Sequence, residues 1–385
     1  MDSNRPSKRA CAGLTSPSLS PSSFSPPPLL LPLANPVELI PAAKIGDEAT
    51  VASCLRHPHL ADPNIADVDG VTALIHASHL GHDSVMEVLL ADERVDPNII
   101  TSAGNTALIF AADQPHLSAV KLLLADRRVD PNMANMEAGT ALIVAADQGH
   151  DEVVTALLDH RRVDPNLTDQ EGATALIAAA FHGHASVVKL LLADARLKPD
   201  IVDKDGNTAL IYASLKGHAS AVTLLLADKR VDPNMTVQHG ATPLMFAALN
   251  GNVAAVTALL ADKRTDPNMT GENGTTALLV AAYQGKTAVL ELLLGDPRTV
   301  RTRPSDKKPE AQAAWDAALR IVKRRRNARF RGLTRLMVVL HRMRLRAAHT
   351  VYAPGGAGFA AAAASFNAAA LHAAQLGYGV STWAA

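Results

Sequence analysis

The side chains in this 385-residue chain best suited to chemistry are its histidines, five of which, His82, His116, His150, His184 and His218, recur every 34 positions. Imidazole ligates metals and moves protons near neutral pH. A fixed period, however, sets these rings in successive layers of a stack, roughly 8–10 Å apart if helices pack on helices. Zinc holds its ligands at about 2 Å, so one ion does not bridge two layers. The histidines read as structural side chains bracing the turn between two helices. Other motifs fail on spacing. Gly285-Lys286-Thr287 has the end of a phosphate-binding loop, but the glycine required five residues before Gly285 is Val280. Asp67-Val68-Asp69-Gly70 and Asp203-Lys204-Asp205-Gly206 have part of a calcium loop. Its first-ligand positions are Ile65 and Ile201, and its closing glutamate positions are His76 and Tyr212. Cys11 and Cys54 stand in no metal-ligand or paired spacing, which favours a reducing compartment over secretion. With no nucleophile elbow, zinc-binding His-Glu pair or paired carboxylates, the expectation is a chain without catalytic residue, cofactor, metal or small-molecule substrate.

The elements that carry these residues follow one period. A threonine recurs at 72, 106, 140, 174, 208, 242 and 276. Asp-Pro-Asn keeps register at 96, 130, 164, 232 and 266, with an earlier copy at 62 and the variant Lys198-Pro199-Asp200. Such a period means a stacked solenoid. Gly70, Gly104, Gly172, Gly206, Gly240 and Gly274 precede the threonine by two, where a turn needs positive φ. The threonine hydroxyl then caps a helix beginning Ala-Leu-Ile, with Leu74, Ile75 and Ala77 pointing inward in the first copy. Gly81, Gly149, Gly183, Gly217, Gly251 and Gly285 end that helix in the left-handed conformation. A second helix follows, with Val153, Ala156 and Leu157 as the apolar face of one copy, and Asp-Pro-Asn stops it. The recurrent Asp92, Asp126, Asp194, Asp228 and Asp262 read as a solvated acidic face.

Gly-x-Thr-Ala-Leu-Ile-x-Ala-Ala-x-x-Gly-His-x-x-Val-Val-x-Leu-Leu-Leu, ending in Asp-Pro-Asn, resembles the ankyrin repeat over roughly residues 37–300. The resemblance implies an all-α solenoid of helix-turn-helix units joined by short hairpin loops. It implies a non-enzymatic scaffold or adaptor that binds one or more proteins on its concave surface. Ala-Leu-Ile departs from the family's usual Pro-Leu-His, which Thr242-Pro243-Leu244 approaches. Pro115 replaces a helix-ending glycine, and Gly139 stands one place late. In the family, variable residues follow the Ala-Ala of the first helix. Here these are His79-Leu80, Asp113-Gln114, Asp147-Gln148, Phe181-His182, Leu215-Lys216, Leu249-Asn250 and Tyr283-Gln284. They are the expected partner-binding ridge, with Phe181 and Tyr283 as aromatic anchors and hairpin tips such as Met136-Glu137 and Gln238-His239 as the reserve.

The remaining chain divides by composition. Residues 1–36, with eight Pro and eight Ser, read as a disordered arm. Residues 37–69 read as a degenerate N-terminal capping repeat, 70–300 as seven repeats, and 301–326 as a helical C-terminal cap with Trp315, Ala318, Leu319 and Val322 on one face. Residues 327–385 read as a basic amphipathic helix followed by an Ala/Gly-rich tail. The formal charge is zero overall, yet residues 37–300 carry 19 basic and 33 acidic side chains, and residues 301–385 carry 15 and three. Such a split gives the middle and the tail different partners. Lys323, Arg324, Arg325 and Arg326, with Arg331, Arg335, Arg342 and Arg346 opposite Leu333, Leu336, Met337 and Leu340, support several readings. They fit a nuclear address, an anionic membrane or nucleic-acid contact, a helix captured by a partner, and a cationic tail folded on the acidic solenoid. Expected locations are the cytoplasm and nucleus, with an organellar transit peptide also compatible with the Ser-rich start.

Overall fold

The computed structural model describes residues 38–56, 62–271 and 274–300, together with Trp315, Asp316, Leu319 and Arg320. The expected arm and the basic segment from Lys323 lie outside the described residues. Among the described residues up to 300, sixteen α-helices form in eight consecutive pairs: α1 Leu39–Ile45 and α2 Glu48–Leu55; α3 Ala73–Leu80 and α4 Asp83–Leu90; α5 Ala107–Asp113 and α6 Leu117–Ala125; α7 Ala141–Gln148 and α8 Asp151–Asp159; α9 Ala175–His182 and α10 Ala185–Ala193; α11 Ala209–Lys216 and α12 Ala219–Ala227; α13 Pro243–Asn250 and α14 Val253–Ala261; α15 Ala277–Tyr283 and α16 Thr287–Gly295. Odd-numbered helices pack on odd and even on even in one unbroken stack. Among the described residues there is no strand, only three isolated bridges at hairpin bases such as Ala66 to Thr72.

Every pair after the first starts on a threonine cap; α1 follows Glu38 without a side-chain cap. The hydroxyl oxygen of Thr72 accepts from the Ile75 amide at 3.3 Å, and the other six threonines do the same to the residue three on. This satisfies one of the helix's orphan N–H groups. Ala77, Ala111, Ala145, Ala179, Ala213, Ala247 and Ala281 are fully buried between neighbouring first helices. Their methyl groups let the backbones approach, which longer side chains would prevent. Leu89, Leu123, Leu157, Leu191, Leu225, Leu259 and Leu293 are equally buried on the second helices. The apolar stripe there is wider than the spacing implies: in α8 Val153, Val154 and Leu157 are buried and Ala156 is half-buried. Trp315 is buried against this core, and Leu319 packs on it.

Two departures from the repeat have local consequences. Pro115 restricts the residue before it to extended backbone, so α5 stops at Asp113 and Gln114 takes ψ 156°. The late Gly139 leaves Ala138 in the turn position, at φ 56°, a left-handed conformation costing a Cβ-bearing residue roughly 1–2 kcal/mol.

The recurrent aspartates are not a solvated face, contrary to the expectation for Asp92, Asp126, Asp194, Asp228 and Asp262. Their side chains are 12–16% exposed, and each pairs with the arginine two residues on at 2.6–2.7 Å; Asp296 and Arg298 make the same pair at 2.8 Å. The carboxylate aims the guanidinium back into the preceding repeat. Arg196 donates to the Leu158 and Val163 carbonyls at 2.9 and 2.8 Å, and Arg264 to those of Leu226 and Val231 at 2.6 and 2.8 Å. The second helix's final carbonyls, which lack intrahelical donors, thereby gain them. Hydrogen bonds from the arginine hold each of these carboxyls below the usual aspartate value.

A second ladder runs through Asp-Pro-Asn. Asn98 accepts from the Asp130 amide at 2.8 Å and donates to the Arg128 carbonyl at 2.7 Å. Asn64, Asn132, Asn166, Asn234 and Asn268 repeat both bonds. Contrary to the expectation that Asp-Pro-Asn stops the second helix, α6 already ends at Ala125, six residues before Pro131, with Asp126 as its cap; the asparagine instead ties the next repeat to the loop.

Candidate protein-docking surface

The variable pairs fall at the C-terminal ends of the first helices, immediately before or at the helix-ending position. Leu80, Gln148, His182, Lys216, Leu249, Asn250, Tyr283 and Gln284 are exposed, and His79, Asp113, Gln114, Asp147, Phe181 and Leu215 are half-buried. None is in the core. The helix ends and hairpin tips also concentrate exposed apolar side chains: Ile45, Leu80, Leu249 and Tyr283 on the former, Val68 and Met136 on the latter. Core packing therefore does not explain these six.

The histidines position this edge. Each stands at the cap of a second helix and reaches back to the preceding repeat, so they brace across repeats and not within a turn. His116 Nε2 donates to the His79 carbonyl at 3.1 Å, His150 to Asp113 at 3.1 Å, His184 to Asp147 at 2.9 Å and His218 to Phe181 at 3.1 Å. His82 does the same to Lys44, and Asn252 takes the role against Leu215. Every acceptor is a main-chain oxygen, which leaves the side chain above it free to vary. The helix-ending glycines make room: a Cβ on Gly183 would lie 2.5 Å from His218 Nδ1, at a φ of 80°. At the last junction Lys286 fills the place of the ring, its aliphatic chain over Gly251, which accounts for Gly285-Lys286-Thr287.

The hairpins are set by their own acids. Asp67 Oδ1 accepts from the Asp69 and Val71 amides, and Asp203 Oδ1 from those of Asp205 and Asn207. The two calcium-like motifs are thus turns held by side chain to backbone. The other oxygen of Asp203 accepts from the Tyr212 hydroxyl at 2.6 Å; burial, reinforced by Asp203, pushes that phenol up to about 12. Asp67 likewise meets His76 at 3.1 Å, with burial lowering the imidazole.

The two aromatic anchors differ. Phe181 lies edge-on to Tyr212 at 5.3 Å, with the Lys216 ammonium 4.1 Å from its ring centre. It is half enclosed by the next repeat. Tyr283 is 46% exposed. The histidine, arginine and asparagine ladders were not read as inter-repeat ties from the sequence; their fixed period was the available signal. The eight basic candidates Lys323 to Arg346 lie outside the described residues.

No curated protein matches the chain. The crystal structure of EF0377, an ankyrin repeat protein, is 30% identical, covering 49% of this chain and 95% of its own, with a TM-score of 0.45. The family described as ankyrin repeats, in blocks of three copies, matches residues 39–135, 117–201, 142–237, 196–271 and 229–303 without a gap. A continuous match over the whole helical stack, carried by caps, glycines and histidines whose geometry is that of one repeated unit, places the chain in the ankyrin repeat family.

Proposed function

We propose that this protein is a non-enzymatic scaffold or adaptor that binds a partner protein along the line of first-helix ends, from His79-Leu80 to Tyr283-Gln284. Ankyrin repeats are in general protein–protein interaction modules, and no helix among the described residues is long and apolar enough to cross a membrane. The observation that carries the reading is the division of labour in each repeat. Main-chain oxygens of the line are fixed by the following repeat, whereas its side chains differ from copy to copy and include exposed Leu80, Leu249 and Tyr283.

Tyr283 is the first anchor to test, because an exposed aromatic supplies large contact area with few rotors to freeze. Proximity labelling with the full chain, compared with Tyr283→Ala and Leu249→Ala, identifies proteins whose capture depends on the line. For a partner so identified, Tyr283→Ala is expected to weaken binding by about 2 kcal/mol with an unchanged melting temperature. Phe181→Ala is expected to lower the melting temperature as well, since it removes the packing of Tyr212 and Lys216. A partner whose affinity ignores all three substitutions places the docking surface elsewhere.

A further inference from the structure

The solenoid's negative charge is confined to one half. Residues 37–171 hold 22 acidic and 8 basic side chains, whereas residues 172–300 hold 11 of each. In the acidic half, a groove of about 410 Å³ crosses the repeats of α5, α7 and α9. Half-buried Phe110 and Val144 form its floor, and Asp113, Glu137, Asp147 and Asp169 its rim, with no lysine, arginine or histidine in the lining. Asp147 pairs with His182 at 3.0 Å just outside it, and Asp169 gives one oxygen to its own hairpin amides. The corresponding helix ends farther along, Leu215-Lys216, Leu249-Asn250 and Tyr283-Gln284, carry no carboxylate.

The chain contains a segment that complements this groove. From residue 317 to 385 there are 11 basic side chains and no acidic one. Within it, residues 331–346 place Leu333, Leu336, Met337 and Leu340 at helical spacing opposite Arg331, Arg335, Arg342 and Arg346. Reach permits contact within one chain. Four repeats separate the last threonine cap, Thr276, from Thr140 at the groove, roughly 32–40 Å at the 8–10 Å spacing of packed helices. The 13 residues from Arg320 to Leu333 span at most about 45 Å when extended.

We infer that residues 331–346 dock intramolecularly in the Asp113–Glu137–Asp147 groove, leucines on Phe110 and Val144 and arginines on the carboxylates, so that the tail competes for part of the partner-binding line. This rests on the reading of that line as a docking surface. The occupied region holds Asp113-Gln114 and Asp147-Gln148 and leaves Leu249 and Tyr283 uncovered.

The test uses the full chain and a fluorescent synthetic peptide of residues 328–349. In one protein the tail is vacated by Arg331→Gln, Arg335→Gln, Arg342→Gln and Arg346→Gln. The peptide is expected to bind this protein at least tenfold more tightly than the unaltered chain, whose groove is filled. Adding Asp113→Asn, Glu137→Gln and Asp147→Asn to the vacated chain is expected to weaken the peptide at least tenfold. The same charge loss away from the groove, by Glu87→Gln, Glu152→Gln and Asp159→Asn, is expected to leave it within twofold. Circular dichroism melting verifies that every variant is folded. Equal binding to vacated and unaltered chains overturns the proposal, as does indifference to the groove carboxylates. A difference between the two chains that appears only as protein concentration rises assigns the groove to a second copy and also overturns it. So does a peptide that binds phosphatidylserine vesicles and not the protein. A failure here, with partner affinity still dependent on Tyr283, refutes the self-docking alone.

Discussion

Asp200 occupies a position where six other repeats place asparagine, and the substitution removes a donor. One carboxylate oxygen accepts from the Asp232 amide at 2.9 Å as the asparagines do, but the other is buried without a partner among the described residues. Burial pushes this carboxyl above the ordinary aspartate value. An acid with a raised folded pKa binds more protons folded than unfolded, so its contribution to stability declines as pH rises from the unfolded value, about 3.9, through the folded one. The arginine-paired aspartates have the opposite sign: their contribution is present above about pH 4 and is lost on acidification through their lowered values. Asp200→Asn is therefore expected to stabilise the protein by about 1–2 kcal/mol at pH 7, in urea or thermal unfolding, with the gain shrinking toward pH 3.5. A gain independent of pH would show that charge burial is not its source.

At the scale of the element, the helix-ending glycine meets two demands that separate along the stack. Gly183 and Gly285 both have positive φ, 80° and 63°, but only at Gly183 does a Cβ collide with the next repeat's ring; no described residue lies within 4 Å of one built on Gly285. Gly285→Ala is expected to cost about 1 kcal/mol, the left-handed penalty alone. Gly183→Ala is expected to cost more by at least about 1 kcal/mol, the strain of displacing His218, and His218→Ala in the same chain is expected to return part of it. Thermal unfolding of the four proteins makes the comparison. The helix ends were legible in the sequence because their cause is local: a threonine caps the amide three residues on, and a glycine tolerates the turn it occupies. The ladders were not, because Asp92 and Arg94 reveal by spacing only that they are neighbours. That Arg94 reaches the Leu55 carbonyl, at 2.9 Å and 39 residues earlier, depends on how the repeats stack. The candidate line was legible as variation between copies, while its anchorage by histidines from the next repeat was not.

Across the whole molecule, the ladders lapse at the last junction, where Lys286 replaces the histidine, and at two faults in the interior of the stack. His160 replaces the aspartate of the arginine ladder, so Arg162 keeps its bond to the Val129 carbonyl at 2.8 Å without a carboxylate to aim it. The buried His160 Nδ1 has no partner among the described residues, and burial, then Arg162, lowers the imidazole. Asp200 weakens the asparagine ladder two junctions farther on. The α6–α8 and α10–α12 junctions are thus the least tied of the interior ones, and the stack is expected to open there into three blocks, α1–α6, α7–α10 and α11–α16. Amide hydrogen exchange followed by mass spectrometry is expected to show faster opening of α7–α10 than of α3–α6, and the pair His160→Asp and Asp200→Asn is expected to close the gap. Uniform exchange along the stack would show that packing of the alanine and leucine core outweighs the ladders.

The arginines, asparagines and histidines that join the repeats share one property: each grips main-chain atoms of its neighbour. A grip on a peptide group is indifferent to which side chain that residue carries, so any unit fits beneath any other. At the level of the gene, this makes copy number a variable separate from fold. A whole 34-residue unit inserted or removed in frame is expected to form its new junction with the same bonds as the old.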